Sequence, residues 1–510
     1  LTMYYLLAAM PPVYPLRSNY CERECQSQFG VQSIPDKKER THMGIKSKKF
    51  FALIISLALC VSICSVPVSA NAYSSSGKLV FGLQEHINAD KTKTPEYIAD
   101  AVSTMGADAF RLSYNVGLLF SVSKDNKPDF KPEGLSVLKN MVAQLKQRGI
   151  TDILYVTDSF LLTSGYAQLV YGYPNAHGCT VPDPKTEPET YKQWLELNAT
   201  AFKMIAEAAP EIKFFEPFNE PNVVSTHLEK KGISWGAAGD HSAYKYTARE
   251  KAGIMADLCW YISEAVKSVD PNNQVTTPSV STNTNDKNVE GAFIDELYRC
   301  IESGNYPTAQ ATGDTTVDDY FTIVNIHCYS HYSESILPDK KDFVNWNKAL
   351  YDVVKAHNDG DSRVWMTETG YSDYGGSRNE KFVAINMKAV LKAIDRKLPF
   401  IDTVFIYMLS NASEENDLSE GETNYGLFYS GDDTENAYKA KPIAKAVYSY
   451  FNGNTTDYYA LDALAARWAT GSAEDGIPAV GLNKPRTFIS YLRTLIDQKI
   501  SEIASKLFYC

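Results

Sequence analysis

Eight apolar runs of strand length recur between residues 78 and 409, and stretches with helical periodicity separate most of them. The runs are Lys78–Gln84, Ala107–Ser113, Asp152–Thr157, Lys213–Phe218, Gln274–Pro278, Phe321–His327, Arg363–Glu368 and Asp402–Leu409. Between them, residues 95–102, 134–148, 191–209, 248–268, 343–357 and 381–397 place apolar side chains at i, i+3 and i+4, the spacing of one helix face. Alternating strand and helix implies a parallel sheet, and eight units about 46 residues apart imply a closed (β/α)8 TIM barrel. An open, doubly wound sheet is the alternative. Neither a Gly-x-Gly-x-x-Gly after the first run nor a phosphate-binding loop supports it. The barrel is predicted over 78–452, after a Ser-rich linker at 71–77. Residues 453–510 form a C-terminal extension of unassigned role, in which Arg486–Leu507 has the pattern of an amphipathic helix.

The stretch before the barrel reads differently. Basic Met43–Lys49 leads into fifteen apolar residues, Phe50–Cys64, and then into the small-residue site Val68-Ser69-Ala70. This is the pattern of a cleaved signal peptide at 43–70, with an apolar core shorter than the roughly 20 residues of a spanning helix. Residues 1–42 then read as a non-native upstream extension, and the mature protein is expected to be secreted, without a stable membrane anchor. Cleavage would leave 42 basic and 57 acidic residues, a formal charge of -15 against -11 for the whole chain. Such a balance argues against nucleic acid as a partner. Of nine cysteines five would remain, Cys179, Cys259, Cys300, Cys328 and Cys510, an odd number without Cys-x-x-Cys spacing, so neither a disulfide scaffold nor a zinc site is indicated. The 33 tyrosines suit a protein that handles carbohydrate, since sugar rings stack on aromatic faces, although Tyr also serves ordinary packing.

In a barrel of this kind the informative residues are those where strands turn polar at their C-terminal ends. The fourth run ends Phe214-Phe-Glu-Pro-Phe-Asn219-Glu220-Pro221-Asn222, and the seventh ends Val364-Trp-Met-Thr-Glu368-Thr-Gly370. Strands four and seven face one another across the mouth, so Glu220 and Glu368 can converge. Cleaving a glycosidic bond calls for such a pair: one carboxylic acid to protonate the leaving oxygen and one carboxylate at the anomeric carbon. A lone strand-end Glu is usually a cap or a surface group. Asn-Glu-Pro and Thr-Glu-Thr-Gly together are far more specific.

With these motifs the segment from Leu79 to Phe451 resembles the clan of retaining (β/α)8 glycoside hydrolases, most closely glycoside hydrolase family 39, with family 5 second. The resemblance implies that Glu220 is the acid/base, Glu368 the nucleophile and Asn219 the ligand of the sugar 2-hydroxyl. It also implies that Tyr329, in the His327-x-Tyr329 pattern of the sixth strand, contacts the nucleophile, and that Arg111 of the second strand pairs with it and lowers its pKa. Tyr425–Phe428 and Lys441-Pro442 add to the likeness. The chain departs from the pattern at the eighth strand, where the Trp that usually floors the subsite is absent and Tyr407 is expected in its place.

His86 is read either as reaching substrate hydroxyls or as a solvent-exposed histidine, and Trp235, Tyr171, Tyr173 and Trp346 as stacking platforms, with Trp346 in a core-like helical pattern. The chemistry expected is double displacement on a polysaccharide or oligosaccharide, with no metal or organic cofactor implied. A catalytically silent carbohydrate-binding barrel is the rival. A metal-dependent hydrolase would need clustered His or Asp ligands, and the eight histidines form no paired motif.

Overall fold

The computed structural model describes residues 79–87, 93–166, 177–178, 181–222, 248–281, 289–304, 314–334, 341–412 and 423–469. Over them the predicted alternation becomes β1 (Val80–His86), α1 (Pro95–Met105), β2 (Ala109–Ser113), α2 (Pro132–Gln147), β3 (Asp152–Val156), α3 (Pro188–Ala208), β4 (Phe214–Glu216) and α4 (Ala248–Lys267). It continues with β5 (Gln274–Val275, resumed at Val280–Ser281), α5 (Val289–Ser303), β6 (Ile323–His327), α6 (Lys341–Ala356), β7 (Arg363–Thr369), α7 (Glu380–Lys397), β8 (Ile401–Ile406) and α8 (Pro442–Phe451). The helix α5 was not anticipated from the sequence, nor were two short antiparallel hairpins, Phe120–Val122 with Pro128–Phe130 and Phe160–Leu161 with His177–Gly178. The expected segment 1–70, Trp235, Tyr171, Tyr173 and Arg486–Leu507 lie outside the described residues.

Every neighbouring pair of barrel strands is parallel, running from the second half of β5 through β6, β7, β8, β1, β2, β3 and β4 to the first half of β5. The ring therefore closes through β5. Its two halves are separated at Pro278, which has no N–H to offer a ladder. Across this seam Thr277 N–H donates to Ile323 O at 2.8 Å and Thr322 N–H to Val275 O at 2.9 Å. Asn325 adds a backbone bond to Thr277 Oγ1 and a side-chain bond to Thr276 Oγ1, both 2.8 Å.

Inside the ring, Ala109, Leu154, Phe214, Ile323, Trp365 and Phe405 form one apolar layer, drawn from six strands. The Trp365 ring lies 4.7 Å from Phe214 and 5.8 Å from Phe405 between centroids. Gly82 completes the layer on β1, because a Cβ there would meet the Phe405 ring at 2.4 Å. Side chains two residues further along most of these strands point to the same face. That places Gln84, Arg111, Glu216, Asn325 and Tyr407 directly above an apolar floor. Strand β7 departs from strict alternation. Its pairing with β6 slips by one residue at Thr367, so that Ile326 faces Met366 and His327 faces Glu368. The extra residue is a β-bulge, and it turns Glu368 inward where simple alternation from Trp365 would turn it outward.

The helices seal the outside with their apolar stripes, and the last locks onto the first. Thr94 caps α1 by accepting from Tyr97 N–H at 3.2 Å, Pro95 opens it, and left-handed Gly106 ends it. At that end Asn452, past α8, donates from Nδ2 to Met105 O at 3.0 Å, and Phe451 stacks on Phe81 at 4.0 Å. A further helix, α9 (Tyr459–Ala469), opens the C-terminal extension and packs on α1. Trp468 meets Tyr97 edge-on at 5.5 Å, Arg467 pairs with Asp100, and Leu461 and Leu464 are buried. Truncating Leu464 to Ala leaves a cavity at this contact, remote from the strand ends. It is expected to cost about 2–4 kcal/mol and to lower Tm by roughly 4–12 °C in calorimetry, with kcat/KM retained.

Candidate active site

At the C-terminal end of the barrel one buried guanidinium gathers the polar side chains. Arg111 of β2 donates from Nε and from one terminal nitrogen to the two oxygens of Glu216, at 2.8 and 2.6 Å. The same terminal nitrogen reaches Asn219 Oδ1 at 2.8 Å. Its other terminal nitrogen donates to Glu368 Oε1 at 2.5 Å and to Gln84 Oε1 at 2.6 Å, and Gln84 Nε2 donates in turn to Glu368 Oε1 at 2.9 Å. On the far oxygen of Glu368, Tyr329 O–H donates at 2.8 Å and His327 Nδ1 stands 3.3 Å away. His327 Nδ1 also lies 2.8 Å from Glu220 Oε1. Its Nε2 is buried without a partner among the described residues, which assigns the ring proton to Nδ1, between the two carboxylates.

Glu220 differs from Glu368 in setting. Its side chain is 24% exposed against 8% for Glu368, and its partner is His327 rather than Arg111. The residue sits at φ 48°, a left-handed conformation costly for a side chain with a Cβ. The flanking bonds hold it there. Asn219 N–H donates to Thr157 O at 3.1 Å, Glu220 N–H to Ser279 Oγ at 3.3 Å, and Asn222 exchanges two 3.0 Å bonds with the backbone of Ser281. Ser279 and Ser281 come from the interrupted β5, so that break delivers side chains to the loop that carries Glu220.

The structure thus brings together Arg111, Asn219, Glu220, His327, Tyr329 and Glu368 as the sequence predicts, and adds Gln84, Glu216 and Ser279. Tyr407 stands at the end of β8 with its ring 5.4 Å from Tyr425 and 6.5 Å from Tyr329. His86 is half-buried, edge-on to Tyr407 and 3.5 Å from its hydroxyl. Gly370 is required beside them, since a Cβ there would strike Tyr407 O at 2.2 Å. Trp346 packs against the core from α6, edge-on to His331, and does not present a free platform.

Burial alone would raise the Glu368 carboxyl. The neighbouring His327 and Arg111 and the bonds from Tyr329 and Gln84 outweigh it and hold Glu368 ionised, down to about 2. Burial and the neighbouring Glu368 charge push the Tyr329 hydroxyl well above its ordinary range, so it remains a donor. For Arg111, burial pulls the other way, yet Glu216 and Glu368 raise it further. Glu220, His327 and Glu368 offer ligand atoms within 4.8 Å of one another, a spacing that could suit a metal ion. A cation there would face Arg111 2.5 Å from one oxygen of Glu368 and compete with donors already on both, so the donor set favours a saturated carboxylate over a metal ligand. Replacing Tyr329 with Phe removes one bond to the charged form and should raise the midpoint of Glu368. Followed by carbon NMR, its titration is expected to move up by about 0.5–1 unit, so that the ionised form is lost at higher pH as acid is added.

A family model described as Cellulase (glycosyl hydrolase family 5) matches residues 71–398, well over half of the chain. A search of curated proteins finds no match. Solved structures similar to the chain include a GH5 xyloglucan-specific endo-beta-1,4-glucanase from a metagenomic library in complex with cellotriose, at 16% identity and TM-score 0.45, covering 73% of this chain and 96% of that one. A GH39 enzyme from Xanthomonas axonopodis pv. citri matches at 15% identity and TM-score 0.47, over 73% and 66% of the two chains. A GH5_18 enzyme from Streptomyces cattleya matches at 13% identity and TM-score 0.48, over 74% and 82%. The chain belongs to glycosyl hydrolase family 5, the second of the two families of the clan that its strand-end motifs resemble.

Proposed function

We propose that this glycoside hydrolase cleaves β-glycosidic bonds of a polysaccharide or oligosaccharide by double displacement, with retention at the anomeric carbon. The observation that carries the reading is a pair of carboxylates with oxygens within 4.8 Å of each other and unequal surroundings. Retaining enzymes hold their carboxyl groups about 5–5.5 Å apart, whereas inverting ones leave room for a water between them. Glu368, kept ionised by Arg111, His327 and the bonds from Tyr329 and Gln84, attacks the anomeric carbon. Glu220 gives its proton to the departing oxygen and then takes one from the water that hydrolyses the glycosyl ester. Asn219 has its oxygen committed to Arg111, which leaves its amide nitrogen to donate to the sugar 2-hydroxyl. Tyr407, braced by Tyr425 and His86, floors the pocket. Secretion is part of the same proposal and is supported by the basic, apolar and small-residue segment 43–70.

The two glutamates should fail differently. Glu368→Ala is expected to abolish turnover on every substrate. Glu220→Ala is expected to slow natural glycosides about 10²–10⁴-fold and aryl glycosides with good leaving groups far less. Azide should partly rescue Glu220→Ala and give the β-glycosyl azide, while with Glu368→Ala it should give the inverted α-product. Proton NMR of the first-formed sugar from the wild type decides the stereochemistry, and an inverted product would overturn double displacement.

A further inference from the structure

Beyond the catalytic cluster, the loops leaving β6 and β7 form a second arrangement of aromatic and charged side chains. Tyr332 lies three residues past Tyr329, and Tyr374 six past Glu368. Between them sits Arg378, its guanidinium 4.8 Å from the centre of the Tyr332 ring and 4.0 Å from that of Tyr374. Tyr374 is exposed, at φ 52°, and opens a left-handed run that continues through Gly375 and Gly376. A bulky residue rarely adopts that conformation, and here it projects an aromatic ring from the rim of the mouth.

Arg378 is tied down at one point, where it donates to Ser372 O at 3.2 Å. It pairs with no carboxylate among the described residues. The acids nearest in sequence are engaged elsewhere: Asp373 with Lys441 at 2.7 Å and Glu380 with the Tyr429 hydroxyl at 2.6 Å. A guanidinium flanked by two rings is already held flat, and most of its five edge donors remain for a ligand. Planar, bidentate binding of a carboxylate is what such an edge does best. An exposed ring beside it offers the stacking face a sugar needs.

We propose that Tyr332, Tyr374 and Arg378 form a rim subsite for a carboxylate-bearing sugar, and that the substrate is a β-glycan carrying uronate groups. This rests on reading the mouth as a β-glycan site and names the class of glycan it takes. The chain carries a net charge of -11, so its long-range field repels such a polymer. A fixed cation at the rim supplies attraction at the one place where a carboxylate is to be held.

The test uses glucuronoxylan and the same xylan after chemical reduction of its carboxyl groups to neutral hydroxymethyl groups. Equilibrium binding of each to the full-length protein is measured by calorimetry, and hydrolysis is followed in parallel. The wild type is expected to bind the acidic form about tenfold more tightly, as for one charge-assisted contact near solvent. That ratio should fall to near one in Arg378→Met and in Arg378→Gln, and in the wild type at about 0.5 M salt, where screening shortens the range of charge. Tyr374→Ala should weaken both forms. Equal binding of the two forms by the wild type, or an unchanged ratio in the folded Arg378 variants, overturns the proposal. Preferential binding without hydrolysis of either xylan leaves the rim subsite standing and counts against the hydrolytic reading on this backbone; hydrolysis with no preference does the reverse.

Discussion

One cation organises the end of this barrel. Arg111 is fully buried, and its fork reaches Glu216 on β4, Glu368 on β7, Gln84 on β1 and Asn219 past β4. Three segments far apart in sequence are therefore fixed in position by a single side chain from β2. Burying a guanidinium is costly, and here two carboxylates and two amide oxygens offset that cost. The same geometry fixes the electrical state of the site, because a cation bonded to one Glu368 oxygen and donors on the other leave that group no reason to take up a proton. Glu220 has His327 as its partner instead.

Glu216 gives this arrangement its stiffness. By taking two of the Arg111 bonds it sets the plane of the guanidinium, and the remaining nitrogen then points at Glu368 and Gln84. The apolar layer of Phe214, Trp365 and Phe405 lies immediately below and keeps water from beneath the cluster. Above it, the two buried ion pairs Glu85–Lys93 and Asp373–Lys441 anchor the loops after β1, β7 and β8, at 3.0 and 2.7 Å.

The barrel was legible because strands buried on both faces are written as unbroken apolar runs, and amphipathic helices as a 3.6-residue stripe. The converging pair of carboxylates was legible because the two motifs sit where such runs turn polar. What escaped were features that depend on partners brought close only by folding. Glu216 lay in plain view inside Phe214-Phe-Glu-Pro, and a charge within an apolar run calls for a buried partner. That signal pointed to a cation without saying which. Gln84 looked like the ordinary end of a strand, and the bulge at Thr367 left no trace in composition. The interruption of β5 had a sign in Pro278. Helix α5 had a sign in the spacing of Phe293, Ile294, Leu297, Tyr298 and Ile301, all buried.

The broken fifth strand has a consequence for how the cylinder is held shut. A continuous strand would spend its backbone on its two neighbours and would present side chains at fixed two-residue intervals. By parting at Pro278, β5 gives up part of that ladder and frees Ser279 and Ser281 to meet the Asn219–Asn222 loop. Closure of the ring and orientation of the Glu220 loop are thereby assigned to the same few residues. Anything that loosened the join would also turn Glu220 aside, so the cylinder's broken stave doubles as the mount for a carboxylate at its mouth.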